Sequence, residues 1–444
     1  MTNVLLVGDN SSYQNWGGRG GSIALLQILS ERYRISDTIP GSTFQLDSAG
    51  FGYVNTFLPS EYGWFFNMLR ASRHKRRVYD YYMRLEELFG AKDFIAHDPA
   101  ETVANILRYK DTHREIGELY EKAYNADLLV IHGEGDFVFT TPPRREVLFL
   151  LGMAELGLHL SKKVVFANGL VSDCPSTGRN NTTLAFARRT LSRCHGVIVR
   201  DYQSLEYVKS EMPDADCSLV PDSLFSWYPY IEKSASEIPA NGDFIMPFPE
   251  NRRNLGRLDF SKPYICIGGS ALAAKDKTAA VPHFARLLEK VQGLGYPVYL
   301  TENCGGDVFL RTVAAEAGVG FVPVNTSVFM GGAILANARL FISGRYHPTI
   351  LASLGGTPCI FLGSSAHKML SLQKLLEYEY VREFPVFPSS GEIDEILELA
   401  REYLKQGESL RATIRAVAGK RCREAKRLPD VIAGHIKAKD SEPR

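Results

Sequence analysis

Arg345 and His347 stand two residues apart in Ser343-Gly344-Arg345-Tyr346-His347-Pro348, directly after an apolar run that ends at Ile342. If the chain is still extended there, this spacing sends both side chains to one side, where they can grip a single ligand. Pro348 disfavours helical geometry at His347 and suits the first position of a helix, so a helix is expected to open at Thr349. Its free amides and positive dipole end would add to the arginine charge and make the corner attractive to a phosphate or carboxylate. An Arg-x-His taken alone is better explained by a surface arginine and a packed histidine; the strand-to-helix boundary shifts the balance towards function.

Other strand ends carry chemistry of the same kind. The run Asn15-Trp16-Gly17-Gly18-Arg19-Gly20-Gly21-Ser22 precedes an expected helix from Ile23 to Leu29. Gly18 and Gly20 around Arg19 would let backbone approach an anion, although no Gly-Lys-Ser/Thr follows and tight packing is an equal explanation. Glu134, in His132-Gly133-Glu134-Gly135-Asp136, is a carboxylate between two glycines just past a strand. It is a candidate general base for a sugar hydroxyl, with His132 and Asp136 as orienting groups. Arg200 ends another apolar run as a candidate second anion clamp, and Asp201 after it suits a helix N-cap. Asp222, in Val220-Pro221-Asp222-Ser223, can bind a ligand hydroxyl or simply cap a turn. Lys368 follows the last strand and can supply positive charge or a proton. No His-Glu-x-x-His, carboxylate cluster or Gly-x-Ser-x-Gly elbow is present, so neither a metal nor a cofactor is expected.

Apolar runs alternating with helical patterns must position these corners. They occur at Val4–Val7, Leu128–Ile131, Val164–Phe166, Val197–Val199 and Cys217–Val220, then at Tyr264–Ile267, Val298–Leu300, Gly320–Val322, Leu340–Ile342 and Cys359–Leu362. This is the pattern of βαβ units and mostly parallel sheets, hence an α/β fold of two Rossmann-like domains facing a cleft. The 444 residues divide into an N-terminal domain over 1–230, a proline-containing linker over 231–263, a C-terminal domain over 264–388, and helices and tail over 389–444. The tail is expected to fray from Lys437 onwards. A segment over 57–101 mixes aromatics with the basic run Arg70-Ala71-Ser72-Arg73-His74-Lys75-Arg76-Arg77. It reads as a helical insertion that contacts an anionic glycan, a lipid-linked acceptor or the membrane surface, or equally as a solvated basic helix face.

A net charge of +1 gives no nucleic-acid signature, and no apolar run reaches membrane-spanning length. The N-terminus enters a strand without a signal-peptide layout, so a cytoplasmic protein is expected, with peripheral contact at the inner membrane face as a further option. The seven cysteines show no Cys-x-x-Cys pair and are expected as reduced thiols. Cys304, in a glycine loop, is the one expected to be worth testing for reactivity.

In this order, the motifs resemble the polysaccharide pyruvyl transferase family. They are Asn15-Trp16-Gly17 with its helix, Gly133-Glu134-Gly135, Val199-Arg200-Asp201 with Ser204, Pro221-Asp222, and Ser343-Gly344-Arg345-Tyr346-His347 through Pro358 to Lys368. The resemblance implies a GT-B-like scaffold with the donor on the C-terminal domain and the acceptor on the N-terminal one. It also implies transfer of a pyruvyl group from phosphoenolpyruvate to a glycan or lipid-linked glycan, with Arg200, Arg345 and His347 on the donor. There are departures: Pro348 stands where the family has a small residue, Glu302-Asn303-Cys304 replaces a histidine-containing strand end, and Glu134 interrupts an all-glycine corner. An acid there would also suit a glycosyltransferase. Such an enzyme would take a nucleotide sugar, for example a CMP-activated acidic sugar, place Arg345, His347 and Lys368 on its phosphate, and use Glu134 or Asp222 as catalytic carboxylate.

Overall fold

In the computed structural model, residues 1–45, 94–135, 137–141, 143–235 and 258–441 are described. The expected insertion up to residue 93 with its basic run Arg70 to Arg77, Asp136, and residues 236–257 of the expected linker lie outside them.

The ten apolar runs all become strands. In chain order the strands are β1 (Asn3–Asp9), β2 (Arg34–Pro40), β3 (Leu128–Glu134), β4 (Val138–Phe139), β5 (Lys163–Gly169), β6 (Ser172–Asp173), β7 (Gly196–Val199) and β8 (Cys217–Leu219). They continue with β9 (Ile265–Ser270), β10 (Val298–Thr301), β11 (Gly320–Val322), β12 (Leu340–Gly344) and β13 (Cys359–Phe361). The first sheet runs β2-β1-β3-β5-β7-β8 and the second β11-β10-β9-β12-β13, and both are parallel throughout. Central strands such as β1 and β9 are buried along nearly their whole length, because helices on both faces of a parallel sheet leave no wet side. β2 was not expected: its sequence Arg34-Ile35-Ser36-Asp37-Thr38-Ile39-Pro40 is an exposed edge strand and carries no apolar run.

Each sheet reverses its build direction once. In the first, β1 leads outward to β2 and the chain then returns to β3; in the second, β9 leads to β10 and β11 before β12 and β13 are laid on its other side. The crevice beyond the carboxyl ends at such a reversal is where doubly wound sheets bind ligands. Asp9 and Glu134 end the strands at the first reversal; Ser270 and Gly344 end those at the second.

Two compact units divide the chain, Met1–Asn10 with Leu26–Val220 and Leu428–Arg444, and Ser11–Leu25 with Pro221–Arg427. Residues 11–25 therefore group with the second sheet, because Trp16 is buried in that unit's core and donates from Nε1 to the Val324 carbonyl at 2.9 Å. The terminal helix Leu428–Asp440 belongs to the first unit. Lys437 to Asp440 are helical rather than frayed: Asp440 pairs with Lys163 at 2.6 Å, and His435 bonds Asp216 at 2.6 Å one turn earlier. No helix among the described residues is long and apolar enough to cross a membrane.

Candidate active site

Arg345 and His347 share a corner but not a partner. The helix after β12 opens at Tyr346 rather than Thr349 and runs to Leu354, with Arg345 as its extended cap residue. Pro348 is accommodated in the first turn, where an amide has no intrahelical acceptor to lose. His347 is therefore helical, and the expectation that it projects alongside Arg345 does not hold.

Arg345 turns onto Asp307, which lies just after β10 in Cys304-Gly305-Gly306-Asp307. Its Nε is 3.1 and 3.2 Å from the two carboxylate oxygens and its Nη2 is 2.6 Å from Oδ1. The Asp307 side chain is 0% exposed and that of Arg345 17%. Burial pushes the Asp307 carboxyl above the usual range despite the pull of Arg345. Burial also pulls the guanidinium down, but Asp307 more than offsets this and Arg345 ends above its ordinary value. The bidentate geometry is that of a carboxylate paired with a guanidinium. Glycines make the fit possible: a Cβ on Gly269 of β9 would run into the Asp307 carboxylate, and one on Gly306 would lie 3.0 Å from Arg345 Nη2. Ser343 donates from Oγ to the Gly269 carbonyl at 3.0 Å and accepts from the Arg345 amide at 3.1 Å, tying β12 to β9 at the reversal point.

His347 turns onto Asp222, with Nε2 and Oδ2 3.2 Å apart. Asp222 was expected to bind a ligand hydroxyl or act as a base. Instead it is fully buried, and its other oxygen accepts the Leu224 amide at 3.0 Å. The opposite edge of the imidazole lies against Gly17, where an added Cβ would be 2.5 Å from Nδ1. This explains the glycines after Trp16. They are not a loop; the helix starts at Trp16 and runs to Ser30. The Asn15 side chain accepts from the amides of Gly17 at 2.9 Å and Gly18 at 3.3 Å, so an anion would find these donors already engaged. Gly20 packs on Leu224, where a Cβ would be 3.1 Å from Cδ1. Arg19 is half-buried, with Nη2 3.5 Å from the Ser12 carbonyl. Lys368 is the first residue of the helix Lys368–Leu375 and is also half-buried.

Glu134, Arg200 and His132 belong to the first unit. Glu134 ends β3 with φ +42°, and its carboxylate accepts the Gly135 amide. A non-glycine residue in that conformation is strained, and strain concentrates where function requires a geometry. Asn168, the last residue but one of the neighbouring β5, has φ +52°. His132 joins the two reversal strands, with Nδ1 3.2 Å from the Gly8 carbonyl and Nε2 3.1 Å from Asn168 Nδ2. Arg200 follows β7 with none of its surface exposed. Asp201 is the expected N-cap and accepts the Ser204 amide at 2.9 Å.

Asp307 and Asn168 are the residues that sequence reasoning missed. Only the paired glycines before Asp307 hinted at it, and nothing in the sequence marks the backbone of Asn168. The reactive-cysteine expectation also changes. Burial pushes the Cys304 thiol up to about 11. At Cys174 burial acts in the same sense, but hydrogen bonds from Ser176 and Thr177 outweigh it and bring the thiol down to about 7.

Two parallel sheets of this topology with their polar corners at the strand ends define a GT-B-like α/β fold. The fold agrees with solved structures. A trehalose-6-phosphate synthase matches with 10% identity and a TM-score of 0.54, covering 100% of both chains. An α,α-trehalose-phosphate synthase (UDP-forming) from Burkholderia vietnamiensis matches with 10% identity and a TM-score of 0.53, covering 100% of this chain and 99% of its own. A UDP-GlcNAc 2-epimerase from Neisseria meningitidis matches with 9% identity and a TM-score of 0.53, covering 98% of this chain and 100% of its own. At these identities the likeness is one of fold alone. The chain belongs to the polysaccharide pyruvyl transferase family, whose model matches residues 22–366 and so includes Asp222, Asp307, Arg345 and His347. No curated protein matches the chain.

Proposed function

We propose that this transferase moves a pyruvyl group from phosphoenolpyruvate to two hydroxyls of one sugar in a glycan or lipid-linked glycan, forming a pyruvate ketal. The observation that carries the reading is the position of Ser343-x-Arg345-x-His347, within the residues that match the family, at the strand-order reversal of the second unit.

Chemistry assigns the parts. The methylene carbon of the donor takes a proton, C2 becomes electrophilic, and one sugar hydroxyl adds there and loses its proton. Phosphate leaves with its bonding electrons, and the second hydroxyl closes the ketal as its own proton departs. Arg345 holds a donor anion through the edge that Asp307 does not occupy, and Arg200 is the second cation we assign to the donor. His347, its Nε2 proton held by Asp222, donates a second proton from Nδ1, either in a hydrogen bond to the phosphate or by transfer to the methylene carbon. Asp222 thus enters as the partner of His347. Glu134 is the base assigned to the acceptor hydroxyl, and Arg19 and Lys368 supply positive charge around the donor. We place the reaction in the cytoplasm, where a metabolic enol phosphate is available.

The test is a reaction of the full chain with phosphoenolpyruvate and a panel of bacterial glycans, followed by phosphorus and proton magnetic resonance. Phosphate release together with a new ketal methyl signal is expected. Phosphate release at the buffer rate with every acceptor, while a nucleotide sugar is consumed, would overturn the reading.

A further inference from the structure

We infer that Asp307 is a positioning residue for the donor: it locks the guanidinium of Arg345 so that only its Nη1 side is presented to the anion of phosphoenolpyruvate. The inference rests on the proposed role of Arg345 and adds a residue and a binding mode to it.

Three observations carry it. First, Asp307 takes Nε and Nη2 of Arg345 together, at 3.1, 3.2 and 2.6 Å, which is the fork geometry that removes rotational freedom from a guanidinium. An anion cannot then use the Nε edge for a second bidentate contact. Among the described residues no hydrogen bond engages Nη1. Second, Asp307 is itself over-determined: it is fully buried, it accepts the Asn303 amide at 3.3 Å, and Gly269 leaves no room beyond its carboxylate. Third, Asn303 is 1% exposed and its side-chain oxygen is an unpartnered acceptor, although a strand end built only for packing would leave no such group. It follows β10 and lies beside Gly268 of β9, where an added Cβ would be 2.7 Å from that oxygen and 2.9 Å from Ser343 Oγ of β12. A structural ion pair has no need of that open acceptor or of the position.

A pair of this kind has a cost as well as a use. An unpaired buried charge is strongly unfavourable, and replacing both members is better tolerated than replacing one. The pair therefore keeps the guanidinium charged and aimed while the site is empty, so that little order remains to be imposed when the donor binds.

The experiment is a double-mutant cycle on the full chain, read by calorimetric titration with phosphoenolpyruvate. Asp307→Asn is expected to weaken binding by about 10- to 100-fold, the scale of a hydrogen bond to a charged group. In the Arg345→Ala background the same change should have no effect, because Asp307 acts only through Arg345. Equal losses in both backgrounds would overturn the inference, as would wild-type affinity in Asp307→Asn while Arg345→Ala loses binding. Wild-type affinity in Arg345→Ala would instead sink the donor reading itself. Should Asp307→Asn not fold, guanidinium added to Arg345→Gly provides the second measurement. It should restore donor binding while Asp307 is present and fail in Arg345→Gly/Asp307→Asn; equal recovery in the two contradicts the assignment.

Discussion

His347 and Asp222 are 125 positions apart in sequence, yet their side chains meet at 3.2 Å inside one unit of the fold. The carboxylate sets which nitrogen of the imidazole carries the proton, and Gly17 sets where the ring can stand. The tautomer and the position of the imidazole therefore depend on Asp222 and Gly17.

Asp222→Asn retains a hydrogen-bonding group but loses the charge that favours a protonated Nε2. Turnover is expected to fall by about 100-fold or more, within the range of general acid-base effects, while the donor KM changes little. Steady-state kinetics beside a melting curve check this. A loss of stability with unchanged turnover would make Asp222 a packing residue.

Gly17→Ala sets two effects against each other. Alanine favours a helix over glycine by about 1 kcal/mol, but overpacking costs about 1–3 kcal/mol, and here the obstacle is a ring 2.5 Å away. The variant should keep its helical circular dichroism and lose turnover because His347 is displaced. Full activity would show that the imidazole position is unimportant.

Glu134 holds a conformation that glycine adopts freely. Glu134→Gly should therefore leave the melting temperature unchanged or raise it, while turnover falls by roughly 100-fold or more and phosphoenolpyruvate affinity stays the same. Glu134→Gln should slow turnover similarly without relieving strain. Normal turnover in both removes Glu134 as the base.

Thiol alkylation separates Cys174 from Cys304. The thiolate is the reactive form, so iodoacetamide labelling of Cys174 should rise as pH passes through about 7, whereas Cys304 should stay unlabelled until near 11. The sign for stability follows. A thiol whose folded pKa is lowered favours the folded state above its unfolded value, and this contribution is lost as pH falls through about 7. Peptide mapping after timed labelling at pH 6, 7 and 8 is the check. Cys304 labelled first would contradict the assignment.

The fold was legible because buried parallel strands write themselves as apolar runs, and all ten runs became strands. β2 was not legible, since an exposed edge strand needs no such run. The Arg345/His347 corner was legible as a location and not as a geometry. Pro348 points to a helix opening at Thr349, but a proline fits anywhere in the first turn, and the helix that opens at Tyr346 takes in His347. The glycines after Trp16 were ambiguous for a similar reason: close approach to an anion and close approach to a histidine ring both call for a missing Cβ. Asp307 was least legible, because its partner lies 38 positions away and the fork between them is a tertiary fact.

The central claim, that phosphoenolpyruvate is the donor, is tested most directly by the melting temperature of the full chain titrated with phosphoenolpyruvate, UDP and CMP. A ligand that binds only the folded state raises the melting temperature with its concentration, by about 2.7 kcal/mol of stability at 100 times Kd. The expected result is a saturable rise with phosphoenolpyruvate that needs far higher concentrations in Arg345→Ala, and none with either nucleotide. A rise with UDP or CMP and none with phosphoenolpyruvate would contradict it.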